Sequence, residues 1–213
     1  MNHGFDLDLI ALLPGKDDSE TLDCLLSHRQ KSLGIRPIRY ELLFHPRRDP
    51  GCFHEAPEVL ETYRRRAKHS LVMFDYEGSG QEDRQADDVR ADLERRLAAA
   101  GWEDRSRVLI IQPELENWVW SDSPEVGRAL GWEGRTPQLR DWLSERQFWP
   151  PGALKPPRPK ETLHAVLREV RTPRSSAIYR ALAERVSLER CTDTSFQQFR
   201  DLMKAWFPVS GPP

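Results

Sequence analysis

Short apolar segments alternate with longer amphipathic ones through the first half of the chain. Four apolar or alternating segments predict β-strands, at residues 5–13, 38–44, 71–74 and 107–112. Pro14-Gly15 and Gly78-Ser79-Gly80 are turn sequences that follow the first and third of them. Strands that alternate with helices are typical of βαβ units, so the pattern predicts an α/β fold with a mostly parallel four-stranded, Rossmann-like sheet flanked by helices.

The segments between the strands carry helix start and stop signals. A helix is expected from Asp17 and Asp18 to Leu33, with Gly34 as its stop. Pro57 predicts the start of a basic helix that runs to about residue 68, and a highly charged helix is expected at 83–100. Pro113 is placed at the first turn of a helix that carries Glu114 and Glu116.

Strand signals stop after about residue 121. Helical patches follow at 137–144, 160–171, 176–185 and 195–205, and a proline-rich segment at 148–160 predicts an extended loop. We therefore divide the chain into an α/β core, residues 1–121, and a helical extension, residues 122–213, packed on it in one compact domain. Five of the seven tryptophans fall at 118–149, where they either pack the extension onto the sheet or cover a partner surface.

The composition limits the choice of function. With 32 basic and 34 acidic side chains the formal charge is −2, so the protein as a whole does not attract nucleic acid non-specifically, although a local basic patch can. Cys24, Cys52 and Cys191 lack the spacing of a zinc site or a disulfide framework. No apolar run approaches the length of a membrane span, and a cytoplasmic protein with no membrane partner is expected.

Acidic residues follow three of the predicted strands. They occur in Lys16-Asp17-Asp18, Asp75-Tyr76-Glu77 and Glu114-Leu115-Glu116. Parallel strands point their carboxyl ends to one edge of the sheet, so these groups are expected to converge there. Carboxylates are the ligands that Mg²⁺ prefers, and Mn²⁺ accepts them too, so a divalent metal site is predicted from Asp17, Asp18, Asp75, Glu77 and Glu116.

The candidate ligands differ in their expected geometry. Asp75 and Glu77 lie two residues apart, so in an extended segment both project to the same side. Glu114 and Glu116 would diverge by about 200° on a helix, and only a non-helical start lets both face inward. We therefore select Asp75, Glu77 and Glu116 as catalytic candidates. The alternative is that the acidic residues favour helix first turns or form a solvated turn.

Basic side chains are candidates for holding phosphate groups beside the metal. These candidates are Lys16, Lys160, Arg64 and Arg65. For the arginine run the alternative is a solvated helix face. Gly78-Ser79-Gly80 lacks the residues of a phosphate-binding or dinucleotide-binding loop and is interpreted as a turn.

Four segments together resemble a TOPRIM-related family of uncharacterised proteins in prokaryotic anti-phage defence. The segments are Leu13-Pro14-Gly15-Lys16-Asp17-Asp18-Ser19-Glu20, Phe74-Asp75-Tyr76-Glu77-Gly78, Pro113-Glu114-Leu115-Glu116-Asn117-Trp118 and Thr194-Ser195-Phe196-Gln197-Gln198-Phe199. The resemblance implies a TOPRIM-like fold in which a glutamate after the first strand and an Asp-x-Asp pair hold Mg²⁺ for phosphodiester chemistry. Asp75 and Glu77 match the pair, whereas Pro14 stands where the glutamate would precede Gly15.

Two functions are therefore carried forward. The first is a Mg²⁺-dependent nuclease or related phosphodiester enzyme of anti-phage defence, which would act on nucleic acid. The second is a catalytically degenerate TOPRIM-like subunit that serves as a structural or sensor partner for other subunits of a defence complex. A protein that binds a small molecule or nucleotide in the same crevice without cleaving it is a third option.

Overall fold

Four parallel strands form the centre of the fold. The structure is a computed structural model that describes residues 4–121 and 123–209. The strands are β1 (Leu7–Leu13), β2 (Tyr40–Phe44), β3 (Ala67–Asp75) and β4 (Ser106–Ile111). Their order in the sheet is β2-β1-β3-β4, and every pairing is parallel. The predicted α/β class with a four-stranded parallel sheet is confirmed.

Alternate residues of each strand pack on opposite faces of the sheet. Leu9 and Leu13 of β1 face one buried cluster, and Ile10 and Leu12 face the other. Helices α1 (Lys16–His28) and α2 (Gln30–Leu33) cover the first face together with the helical extension. Helices α3 (Arg48–Leu60) and α4 (Ala86–Leu97) cover the second. Strands β1, β3 and β4 are buried on both faces, which explains why they read as nearly continuous apolar runs, whereas the edge strand β2 is only half-buried.

The predicted start of the second crossover helix is wrong. Helix α3 begins at Arg48, and Pro57 lies inside it. A proline inside a helix deprives the carbonyl four residues earlier of its donor, which here is the carbonyl of Phe53. The Arg96 guanidinium of α4 donates to this oxygen at 2.6 Å. A side chain from the neighbouring helix therefore makes the internal proline acceptable.

The predicted helix start at Pro113 is also wrong. Helix α5 (Glu116–Val119) begins three residues later. The intervening segment is held by groups of β3 and the turn after it: the Leu115 N–H donates to Asp75 Oδ1 at 2.8 Å, and the Glu77 N–H donates to the Pro113 carbonyl at 3.0 Å. These bonds hold residues 113 and 114 outside the helix, and Leu115, with helical φ and ψ, is the N-cap residue of α5.

The second half of the described chain is helical. It contains α6 (Pro124–Ala129), α7 (Leu139–Glu145), α8 (Pro159–Glu169), α9 (Ser176–Arg185) and α10 (Thr194–Trp206). The four predicted patches correspond to α7 to α10, α6 was not predicted, and the proline-rich segment before α8 contains neither helix nor strand. The five tryptophans at 118–149 are buried in the cluster that covers the first face of the sheet. This burial supports the first of the two alternatives, that the tryptophans pack the extension on the core.

Candidate functional site

The loops after all four strands meet at the carboxyl edge of the sheet and carry acidic side chains. Asp18 lies in the first turn of α1, after β1, and Asp49 lies in the first turn of α3, after β2. Asp75 is the last residue of β3, and Glu116 is the first residue of α5, after β4. We call Asp18, Asp49, Asp75 and Glu116 the carboxylate cluster.

Members of the carboxylate cluster are close enough to perturb one another's ionisation. Burial, together with the charges of Asp49, Asp17 and Glu116, raises the pKa of Asp18 to about 7. Burial and the charges of Asp18, Asp49 and Glu116 raise the pKa of Asp75 well above its ordinary value, against the opposing charge of Lys160. The cluster therefore concentrates negative charge in a place from which water is largely excluded.

Hydrogen bonds from backbone N–H groups to side-chain carboxylates join the loops that carry the cluster. Asp49 Oδ1 accepts from the N–H of Asp75 at 2.9 Å, and Asp75 Oδ1 accepts from the N–H of Leu115 at 2.8 Å. The loops after β2, β3 and β4 are thereby linked through two carboxylates. By contrast, Asp18 Oδ1 is buried and has no hydrogen-bond partner among the residues that the structure describes. A buried acceptor without a donor is costly, so this atom is available to a proton or a cation.

Lys160 brings a positive charge to the cluster from the helical extension. At the start of α8 its N–H donates to Glu114 Oε1 at 2.7 Å, and its Nζ donates to Glu114 Oε2 at 3.0 Å. Burial lowers the pKa of Lys160, but the charges of Glu116, Glu114 and Asp75 outweigh it and raise the pKa above its ordinary value. Lys160 is thus a protonated lysine facing the cluster while it neutralises Glu114.

Glu116 is held by the extension as well. The Tyr179 hydroxyl of α9 donates to Glu116 Oε1, and Arg174 Nη2 lies 3.8 Å from the same oxygen. Burial and the Glu116 charge raise the pKa of Tyr179, so the hydroxyl keeps its proton and remains a donor. Arg174 also pairs with Asp17 Oδ2 at 2.5 Å, and Ser176 Oγ donates to Asp17 Oδ1 at 2.7 Å. Asp17 is therefore bonded to the extension instead of facing the cluster without a partner.

The structure brings together some of the predicted site residues and separates others. Asp18, Asp75, Glu116 and Lys160 meet at the carboxyl edge, as expected. The non-helical segment before α5 allows both Glu114 and Glu116 to be buried, at 5% and 2% exposure. This is the condition under which both glutamates were expected to face inward.

Glu77 differs from that group. The strand ends at Asp75 and a turn follows, so the extended alternation that would place Asp75 and Glu77 on one side is wrong. The Glu77 side chain is exposed. Its assignment as a metal ligand and catalytic residue stays a prediction.

The structure places the predicted phosphate-binding residues at two different edges of the sheet. Lys16 is exposed at the first position of α1, at the same edge as the cluster. Arg64 and Arg65 lie just before β3, at the opposite, amino edge of the sheet. They are therefore placed away from the carboxylates beside which they were expected.

Asp49 is the member of the cluster that the sequence interpretation missed. It lies five residues after the last residue of β2, in a segment read as a loop because the helix was expected only from Pro57. The usable signal was the rule already applied to the other strands, that acidic residues following a parallel strand lie at its carboxyl edge. Applied to β2, this rule selects Asp49.

The donor set of the cluster suits a hard, hydrated cation. Mg²⁺ binds through one or two carboxylates and retains several waters, so it does not require a complete cage of side chains. The buried Asp18 Oδ1 atom and the raised pKa values of Asp18 and Asp75 fit such an ion. Within residues 4–121 and 123–209, no three His, Cys, Asp or Glu side chains are arranged to hold a metal ion directly. Water would therefore have to complete the coordination.

Comparisons with known proteins do not assign the chain to a family, since no family model, no curated protein and no solved structure matches it. Among the residues that the structure describes, no helix combines the length and the apolar character that a membrane crossing requires. The fold and the site define a class on their own. The chain is a parallel α/β protein with a buried carboxylate cluster at the carboxyl edge of its sheet and a helical extension that supplies a lysine to it.

Proposed function

We propose that this protein is a Mg²⁺- or Mn²⁺-dependent phosphodiester-processing protein of prokaryotic anti-phage defence. The observation that carries the chemistry is the buried, unpartnered Asp18 Oδ1 atom among carboxylates that raise the pKa of Asp18 to about 7. The repulsion among these carboxylates is reduced by a bound proton at low pH and by a bound divalent cation at neutral pH. The role in defence rests on the resemblance of the four sequence segments to the TOPRIM-related family.

The residues of the site have separate roles in this proposal. Asp18 and Asp75 would hold the cation, Glu116 would complete the acidic wall, and Asp49 would keep Asp75 in place through its backbone N–H. Lys160 would contact a phosphate oxygen, because its ammonium group faces the cluster and 40% of its side chain is exposed. A bound Mg²⁺ supplies charge neutralisation and activation of water.

Isothermal titration calorimetry with MgCl₂ and MnCl₂ tests the site. We expect binding to the wild type, and a loss of at least about tenfold in affinity in Asp18→Asn and Asp75→Asn, because each change removes a ligand charge. Glu77→Gln separates this ligand set from the one predicted from the sequence. Glu77 is exposed at the same edge, and the proposal assigns the cation to the buried Asp18 and Asp75, so this variant should bind as the wild type does. The proposed ligand set is contradicted if the folded wild type binds neither metal. It is also contradicted if Glu77→Gln loses as much metal affinity as Asp18→Asn and Asp75→Asn do.

Cleavage of supercoiled plasmid and of single-stranded oligonucleotides in Mg²⁺ or Mn²⁺ then tests the chemistry. Activity should disappear in Asp75→Asn and persist in Glu77→Gln. Lys160→Gln should lower the cleavage rate while leaving metal affinity within about threefold, because a phosphate contact does not bind the cation. Metal binding without cleavage of any of these substrates would reject the nuclease assignment.

A second function, that of a catalytically inactive subunit of a defence complex, is favoured by one specific observation. Pro14 precedes Gly15 where the resembled family carries its glutamate, and proline offers neither a ligand nor a proton acceptor. The resemblance to that family would also fit the small subunit of a methylation-associated defence system. In a phage-plating assay this role predicts that Asp75→Asn retains full protection, whereas the enzymatic role predicts that the same folded variant loses it.

A further inference from the structure

The amino edge of the sheet, opposite the carboxylate cluster, carries an open cleft. It is lined by Phe5, Arg64, Arg65, Gly101 and Arg105 and has a volume of about 820 Å³. Arg64 and Arg65 lie just before β3, and Arg105 lies just before β4. Of the described residues, three arginines therefore contribute to the lining and no acidic residue does. We call this surface the arginine cleft.

Arg105 is fixed in the cleft by the backbone. Its guanidinium donates to the carbonyl of Ala67 at 3.0 Å and to that of Gly101 at 3.2 Å. It also lies over the ring of Phe5, with its central carbon 5.3 Å from the ring centroid. A planar cation is thus held rigidly beside an aromatic ring.

Arg64 is packed against the same turn. Gly101 has a φ of +86°, and a β-carbon at this position would lie 2.8 Å from Arg64 Nη1. The absence of a side chain therefore lets the guanidinium rest on the backbone, close to Arg105. Burial and the charge of Arg64 both lower the pKa of Arg105, so the two cations repel each other in this arrangement.

The acidic groups near the cleft only partly offset these charges. Glu61 pairs with Arg64 at 3.2 Å, but the Arg64 side chain is 37% exposed and the Glu61 side chain 52% exposed. Such surface pairs are weak. Glu103 acts on Arg105 through its charge. Arg65 is exposed, and it forms no ion pair with any residue of the described ranges. The described residues that line the cleft therefore carry three positive charges and no negative one.

We propose that the arginine cleft binds the phosphate groups of a single-stranded nucleic acid. Guanidinium groups match phosphate oxygens in charge and geometry, and an aromatic ring beside them offers a surface on which a base can stack. The cleft is open, so a continuous chain can pass through it. This binding does not depend on the metal chemistry proposed for the other edge. The nine residues of β3 are separated by eight steps of about 3.3 Å, so the two edges are roughly 26 Å apart.

The test is fluorescence anisotropy with a fluorescein-labelled single-stranded DNA in EDTA, titrated at several KCl concentrations. The double variant Arg64→Gln, Arg65→Gln should bind at least about tenfold more weakly at low salt. Losing two phosphate contacts should also reduce the slope of log affinity against log salt by about 1.4. Arg65→Lys, which keeps the charge, should bind within about threefold of the wild type.

Three controls separate the cleft from other causes. Arg190→Gln removes an exposed arginine between α9 and α10 and should leave the affinity unchanged. Arg65→Gln alone breaks no ion pair of the described ranges, so it should weaken binding without lowering the thermal midpoint. The titration is run in EDTA, so divalent cations are absent, which keeps this test distinct from that of metal binding.

The proposal is overturned if the double variant behaves like Arg190→Gln. It is also overturned if the folded wild type binds no DNA but binds vesicles that contain anionic phospholipid, because the cleft would then recognise a membrane surface.

Discussion

Asp49 Oδ1 accepts a hydrogen bond of 2.9 Å from the backbone N–H of Asp75. This bond joins the start of α3 to the end of β3, and it places a second carboxylate beside the buried Asp75. The same side chain therefore supports the backbone of Asp75 and raises the pKa of its carboxyl. These two effects can be separated by mutation.

Asp49→Asn should keep the acceptor and remove the charge. We expect the free energy of unfolding at pH 7 to be unchanged or slightly higher, because like-charge repulsion is relieved. Asp49→Ala should lower it by about 1–3 kcal/mol, because the Asp75 N–H loses its partner in a buried place. Urea unfolding of both variants measures the difference, and equal destabilisation of the two would show that the hydrogen bond is not the cause.

The raised pKa of Asp18 predicts a pH dependence of stability. In the folded state this carboxyl titrates at about pH 7, and in the unfolded state it titrates near its ordinary value of 3.8. Between these values the folded state binds more protons than the unfolded state, so the stability contributed by Asp18 is complete below about pH 4 and is lost as the pH rises through 7.

Asp18→Asn removes this titration without changing the shape of the side chain. The unfolding free energy of the variant minus that of the wild type should therefore increase between pH 4 and pH 8, by an amount on the order of 1 kcal/mol or more. Urea titrations of both proteins in EDTA at each pH measure it. Groups that do not interact with Asp18 cancel in the difference, and the relief of Asp75 in the variant adds to it in the same direction. A difference that is constant or decreases over this range would contradict the assigned environment of Asp18.

Lys160 and Glu114 form a partly buried pair that links α8 to the loop after β4. Lys160→Met should lower the free energy of unfolding by about 1–2 kcal/mol, since it leaves Glu114 Oε2 without its cation while the backbone N–H still binds Oε1. The double variant Glu114→Gln, Lys160→Met should recover part of this loss. A double-mutant cycle by chemical unfolding gives the coupling, and a coupling near zero would show that the pair contributes nothing.

Trp149 packs edge-to-face on Trp120, with ring centroids 5.9 Å apart, and only 5% of it is exposed. Trp149→Ala should therefore cost about 3–5 kcal/mol of stability and lower the thermal midpoint. Phe44→Ala is the matched control, because Phe44 is 62% exposed, and it should change stability by less than about 0.5 kcal/mol. If the Trp149→Ala protein were as stable as the wild type, Trp149 would not stabilise the packing of the extension, and the alternative that it covers a partner surface would be favoured.

Element type and sheet direction were predictable because they depend on local patterns. The apolar runs around Ile10, Val72 and Leu109 are buried in the strands they predicted, and parallel pairing followed from their alternation with helices. The position of Asp75 at a strand end was predictable in the same way. The limits of the helices were less predictable. Pro57 is accommodated inside α3 because Arg96 of another helix donates to the Phe53 carbonyl, and Arg96 is 43 residues away from Phe53 in the sequence.

The composition of the site was decided by the tertiary structure. The sequence placed acidic residues at one edge of a parallel sheet, but burial separates Asp18 and Asp75 from the exposed Glu77, and packing adds Asp49. Chain order, not packing, puts Arg64 at the amino edge, because it lies just before the parallel strand β3, far from the acids beside which it was expected. Hydrophobic periodicity is a property of neighbouring residues, whereas exposure and electrostatic coupling depend on distances between segments remote in sequence. For this reason the sequence predicted the sheet and the edge where chemistry would lie, and only the folded chain determined which side chains meet there.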